Sequence, residues 1–207
     1  MKDLLITTAT YEKVKKGQTI YLLSNWCNTL EMQEYLKYNK VKIFPYHWKS
    51  KEKFNKDYYY LNDLYELNLK ILANTLGEYH KTSKDKKYWR IIIGPWLRHF
   101  SDIAFDRYSQ ILCVKNKKNL YTNIVECNPD DLISDNFKDF YSESKKDLWN
   151  HNLIGIIWKD LGLSYKNISR KKINLKKENS SFELIIKSLI NKIIFRIQEN
   201  NKYIFHC

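Results

Sequence analysis

The sequence predicts an α/β fold, a parallel sheet flanked by helices, and three observations carry that prediction. Two short apolar runs of strand type open the chain, Leu4 to Thr8 (LLITT) and Thr19 to Ser24 (TIYLLS). A helical stretch from Thr29 to Tyr38 and an alternating segment from Val41 to Tyr46 follow, the strand, helix, strand rhythm of a sheet with helical crossovers. A long segment from Ser50 to Tyr79 then carries the apolar period of an amphipathic helix.

Each element has its local reason. The Lys-rich segment around Gly17 reads as a turn between the first two strands, and Pro45 with the His47-Trp48 pair closes the third. In the long helix Phe54, Tyr58, Leu61, Tyr65, Leu69, Leu72, Leu76 and Tyr79 recur in steps of three and four. Tyr88 to Ile93 (YWRIII) reads as a further strand broken by Gly94-Pro95. Pro95 suits the first position of a new helix, because its φ is already fixed and its missing N–H is not needed there. Leu97, Phe100, Ala104, Tyr108 and Ile111 continue that helix, with Arg98, Asp102 and Asp106 on another stripe.

Beyond Val114 the composition shifts. Asn116 to Asn123 reads as a polar loop, and Glu126 to Asp147 carries seven acids against three lysines. Its spacing does not match a calcium loop, so it reads as a solvated loop and helix face, and no metal site is predicted. Leu148 to Trp158 is helical by period, and Lys166 to Lys177, with six basic residues, is linker-like. Ser180 or Ser181 caps a final helix through Ile197, and Tyr203 to Phe205 begins another strand. The expected organisation is a domain over 1–160, a basic linker over 161–180, and a helix with a short strand over 181–207.

The 207 residues suffice for a buried core, and the net charge of +13 points first to an anionic partner. Only five of the 36 basic residues are Arg, however, whereas base and phosphate recognition favours the guanidinium fork. Lys, Asn, Ile and Tyr are all abundant and share A- and T-rich codons, so much of the charge reads as genomic background. The four cysteines form no CxxC pair, which argues against a disulfide framework or zinc knuckle and for a reducing cytosol. The opening residues predict no secretory leader, no run is long enough to predict a membrane span, and no glycine-rich nucleotide loop is expected.

In order along the chain stand LITTA near the start, SNWC after the second strand, PYHW at 45–48, the YxYLxxLYE pattern at 58–66, YWRIIIGPWL at 88–97, FDR at 105–107 and DLWN at 147–150. Together these segments resemble a family of transferases encoded in bacterial surface-carbohydrate gene clusters. The resemblance implies a Rossmann-like domain like the N-terminal half of a two-domain glycosyltransferase, with the substrate cleft between two halves. It implies that this chain supplies the acceptor side of that cleft, as a fragment of something longer or beside a separately encoded C-terminal half. It further implies transfer of a sugar from a nucleotide-sugar co-substrate to a carbohydrate acceptor, in the cytoplasm at the inner face of the membrane, with no covalently bound cofactor.

Candidate residues fall at expected strand ends or, like Asp106 and Arg107, on a helix. Gly94 and Trp96, at an expected strand-to-helix junction, offer free amides to an anion, while the competing reading is a tight turn with Trp96 in the core. His47 could take the proton of an acceptor hydroxyl or simply pack, and Trp48 could stack on a sugar or fill the core. Asp106 is the other candidate base. Arg90, Arg98 and Arg107 could neutralise an anionic group or form structural ion pairs. Asn25 and Asn150 could orient hydroxyls or cap helices. Lys187, Lys192 and Arg196 on the last helix, beside the Lys166 to Lys177 cluster, fit peripheral contact with an anionic membrane or ordinary packing. Two other functions stay open: a basic nucleic-acid-binding domain, which the core spacing of the aromatics disfavours, and a non-catalytic partner subunit.

Overall fold

The structure, a computed structural model, describes residues 3–8, 16–125, 129–168, 188 and 190–197. Five strands form one wholly parallel sheet: β1 (Asp3–Ile6), β2 (Thr19–Leu22), β3 (Lys40–Ile43), β4 (Leu120–Val125) and β5 (Tyr165–Ile168), in the order β3-β2-β1-β4-β5. Helices flank it, and the fold is α/β and Rossmann-like, as the opening rhythm predicts. The order reverses between β1 and β4, so the crevice beyond the carboxyl ends of those two strands is where an open sheet of this kind receives ligands.

The chain divides into two compact units. The first comprises residues 1–47 and 107–184 with the sheet, and the second residues 48–106 and 185–206. In the first, Leu5, Ile6, Ile20, Leu22, Leu23 and Ile124 are fully buried, the near-continuous apolar runs of strands covered on both faces. α1 (Leu30–Leu36) joins β2 to β3 and starts at Thr29, whose hydroxyl accepts from the Met32 N–H. α4 (Phe137–Glu143) begins likewise at Asn136, and α5 (Asp147–Asp160), with Trp149, Leu153 and Ile157 buried, packs on β4.

The second unit is helical. α2 (Lys51–Tyr79) starts at Ser50, whose hydroxyl accepts from the Lys53 N–H, and buries Leu61, Leu64, Leu69, Leu72, Ala73 and Leu76. The amino-terminal part of the expected stripe turns outward: Phe54 and Tyr58 are exposed, and buried Asp57 is held by the Trp48 indole N–H and Lys53 Nζ. Residues 190–197 are helical too, and Arg196 Nη1 donates to the Asn68 side chain.

Three expectations are corrected. Tyr88–Ile93 is no strand: one helix, α3 (Lys86–Lys115), runs through it, with Pro95 inside. Trp89 and Ile93, four apart, pack on Ala73 and Leu76, whereas Ile91 and Ile92 are exposed, so burial follows a helical period. Gly94 permits the close approach to α2, since a Cβ there would stand 2.7 Å from the Tyr65 hydroxyl. Second, the expected polar loop over 116–123 contains most of β4, whose inward Leu120, Thr122 and Ile124 alternate; the Thr122 hydroxyl donates to the Leu5 carbonyl. Third, residues 165–168 of the expected linker form β5, an exposed edge strand held by backbone pairing to β4. The expected strand Tyr203 to Phe205 lies outside the described residues.

Candidate active site at the carboxyl edge of the sheet

Where β1 ends, Thr7 and Thr8 continue buried, and α5 brings His151 against them. The His151 imidazole bridges the two strands at the point of reversal. Nε2 accepts from the Val125 N–H at 3.0 Å, and Nδ1 lies 3.2 Å from the Thr8 hydroxyl. An acceptor Nε2 places the ring proton on Nδ1, which therefore donates to Thr8. Burial, with a smaller contribution from Lys159, pushes the His151 pKa down to about 4, so the ring is neutral at pH 7.

Beside this bridge the segment after β2 turns through one 3-10 turn, Asn25–Cys27. It leaves Asn25 exposed and swings Trp26 across the end of β1, where its indole N–H donates to the Thr7 carbonyl at 3.0 Å. The Arg107 guanidinium lies 4.4 Å from the centroid of the Trp26 ring, close enough for a cation–π contact. Arg107 Nε donates to Asn150 Oδ1 at 3.0 Å, while Asn150 Nδ2 donates to the Ser144 and Lys146 carbonyls. Tyr46, half exposed, meets Trp26 edge to face. A half-buried guanidinium is thus fixed on an aromatic plane by an amide that is itself fixed.

The loops after β2 and β3 are tied together by Gln110 of α3, which is fully buried. Its Nε2 donates to the Leu23 and Pro45 carbonyls, and its Oε1 accepts from the His47 N–H at 2.9 Å. Cys27 is buried beneath the same edge, with Sγ 3.5 Å from the Ile6 carbonyl, and burial pushes its thiol up to about 12.

Of the residues singled out from sequence, Asn25, Arg107 and Asn150 belong to this edge. His47 belongs to it through its backbone, but the residue is only 1% exposed. Asp106 is 8% exposed, and it lies in the second unit with Trp48, Arg90, Gly94, Trp96 and Arg98. There the strand-end position expected for Gly94 and Trp96 is corrected to a helix interior, whose amides are spent on the helix itself. Trp96 stacks on Phe100 at 5.5 Å; Arg90 pairs with Glu66; Arg98 bonds Asp102 and Asn62. Thr8, Trp26, Gln110 and His151 went unnoticed. His151 follows directly on the DLWN segment, which was the available signal.

Among the described residues no helix is long and apolar enough to cross a membrane. A family model described as LIC12162 family transferase matches residues 3–207. No curated protein and no solved structure matches the chain.

Proposed function

Because the chain belongs to the LIC12162 family of transferases, we propose that it acts in surface polysaccharide biosynthesis as a glycosyltransferase-like domain, on the acceptor side of the reaction. The observation that carries the chemistry is Arg107, held over the Trp26 ring by Asn150 where β1 and β2 end. A guanidinium fixed in this way meets a planar or tetrahedral anion without first losing rotamer freedom. It suits the phosphate of an activated sugar or of a phosphate-bearing acceptor, with the exposed Asn25 and the Trp26 and Tyr46 rings offering polar and stacking contacts to a sugar. His47 and Asp106 enter the proposal as buried supports and not as the base.

The test is transfer of label from a panel of nucleotide sugars to a bacterial envelope extract, by the full chain alone and with a separately produced C-terminal half. Arg107→Gln should lower the rate by about 100-fold, the usual loss when one charge-stabilising donor is removed. Full activity in that variant, or no transfer by the parent chain in either setting, would overturn the proposal.

A further inference from the structure

At the opposite edge of the sheet, where the strands begin, a cavity of about 440 Å³ opens beside Leu120 of β4 and Ser164, the residue before β5. Leu120, Trp158 and Leu163 give it apolar walls, and the Trp158 ring is fixed by donating its N–H to the Ser164 carbonyl at 3.1 Å. Lys115, Lys117 and Lys118 line it as well, and no carboxylate does among the described residues.

The bland explanation is that these lysines only offset the carboxyl ends of α3 and α5. Magnitudes argue otherwise. A helix end carries roughly −0.5 of a charge, so two ends amount to about −1 against three ammonium groups. Several carbonyls of the last turns are moreover already engaged. Leu161, Gly162 and Leu163 donate back to Ile157, Lys159 and Trp158, and the Lys117 N–H donates to Val114. Three cations stand within four residues at a hollow with an aromatic wall; Lys117 Nζ also lies 5.4 Å from the centroid of the Tyr21 ring, a neutral partner, so the positive charge still exceeds that of the two helix ends.

We propose that this cavity binds an organic phosphate, the phosphate against the three lysines and an apolar or aromatic body against Trp158 and Leu163. The site is distinct from the Arg107 edge and stands whether or not that edge transfers sugars. Such a ligand reaches it as a soluble nucleotide or as the head of a lipid, and the chemistry is shared.

The test titrates the full chain with inorganic phosphate, phenyl phosphate and ADP by calorimetry, and with phosphatidylcholine vesicles doped with phosphatidic acid by sedimentation. Phenyl phosphate should bind at least about tenfold more tightly than inorganic phosphate, since one buried aromatic body is worth more than 1.4 kcal/mol. K115Q/K117Q/K118Q, three exposed changes whose folding is checked by circular dichroism, should weaken phenyl phosphate by at least about tenfold, while Arg107→Gln leaves it within about twofold. Tighter binding of ADP identifies a soluble source; lysine-dependent vesicle binding identifies a lipid. Equal affinity of parent and triple variant, or no preference for phenyl phosphate over inorganic phosphate, overturns the proposal. Loss on Arg107→Gln instead would assign the phosphate to the carboxyl edge and overturn it too.

Discussion

Lowering the pH should weaken the first unit through one residue. His151 is held neutral between the Val125 N–H and the Thr8 hydroxyl. Protonation would remove the Nε2 lone pair and set two N–H groups against each other. Its folded pKa of about 4 lies below the ordinary 6.5, so the unfolded chain binds the proton more readily in between. Stability is therefore complete above pH 6.5 and falls as the pH drops toward 4. A gap of about 2.5 pH units corresponds to roughly 3 kcal/mol in full, of which about 2 is lost between pH 7 and 5. That is a large share of the ~5–15 kcal/mol that holds a typical domain. Urea unfolding from pH 7 to 5 stays above most carboxylate titrations, and His151→Gln serves as the reference. The parent midpoint should fall by about 1 M over this range, for an m-value near 2 kcal/mol/M. The variant should start lower and stay nearly flat. Parallel pH profiles for the two proteins would refute the reasoning, because the bridge would then not depend on a neutral imidazole.

Other outcomes follow from the same packing. Gln110→Leu leaves the buried His47 N–H and Leu23 carbonyl without their partner, and should cost about 3 kcal/mol in chemical denaturation. Gly94→Ala forces a Cβ against the Tyr65 hydroxyl and should lower the melting temperature; adding Tyr65→Phe should restore most of the loss. Cys27, buried with its thiol pushed up to about 12, should resist iodoacetamide at pH 8 in the native protein and react only in denaturant, as peptide mapping would show. Glu66→Gln breaks half-exposed pairs with Lys86 and Arg90 and should cost less than about 1 kcal/mol by the same denaturation assay.

The first three strands, α2 and α5 were legible because period and burial agree in them. Leu5, Ile20 and Leu22 lie in unbroken apolar runs, and Ser50 caps a helix whose leucines recur at three and four. YWRIII misled because β-branched residues favour strands locally, by tenths of a kcal/mol per residue, while packing of Trp89 and Ile93 on α2 favours a helix by more. β4 was hidden by Thr122 and Asn123, polar residues that a strand accepts once the Thr122 hydroxyl meets the Leu5 carbonyl. β5 left no mark, since an exposed edge strand is held by its backbone and needs no apolar pattern.

The sequence by itself determined the α/β class, the long amphipathic helix, and the scarcity of arginine that makes Arg107 conspicuous. Only the tertiary structure decided what each arginine meets. Arg90 and Arg98 meet carboxylates on the helices of the second unit, and Arg107 meets Trp26 and Asn150, residues 81 and 43 positions away along the chain. The strand order decided it too, since the crevice between β1 and β4 exists only once residues over a hundred apart are paired. Local patterns report the energy of neighbours in sequence. A site assembled from strand ends depends on contacts that no local pattern contains.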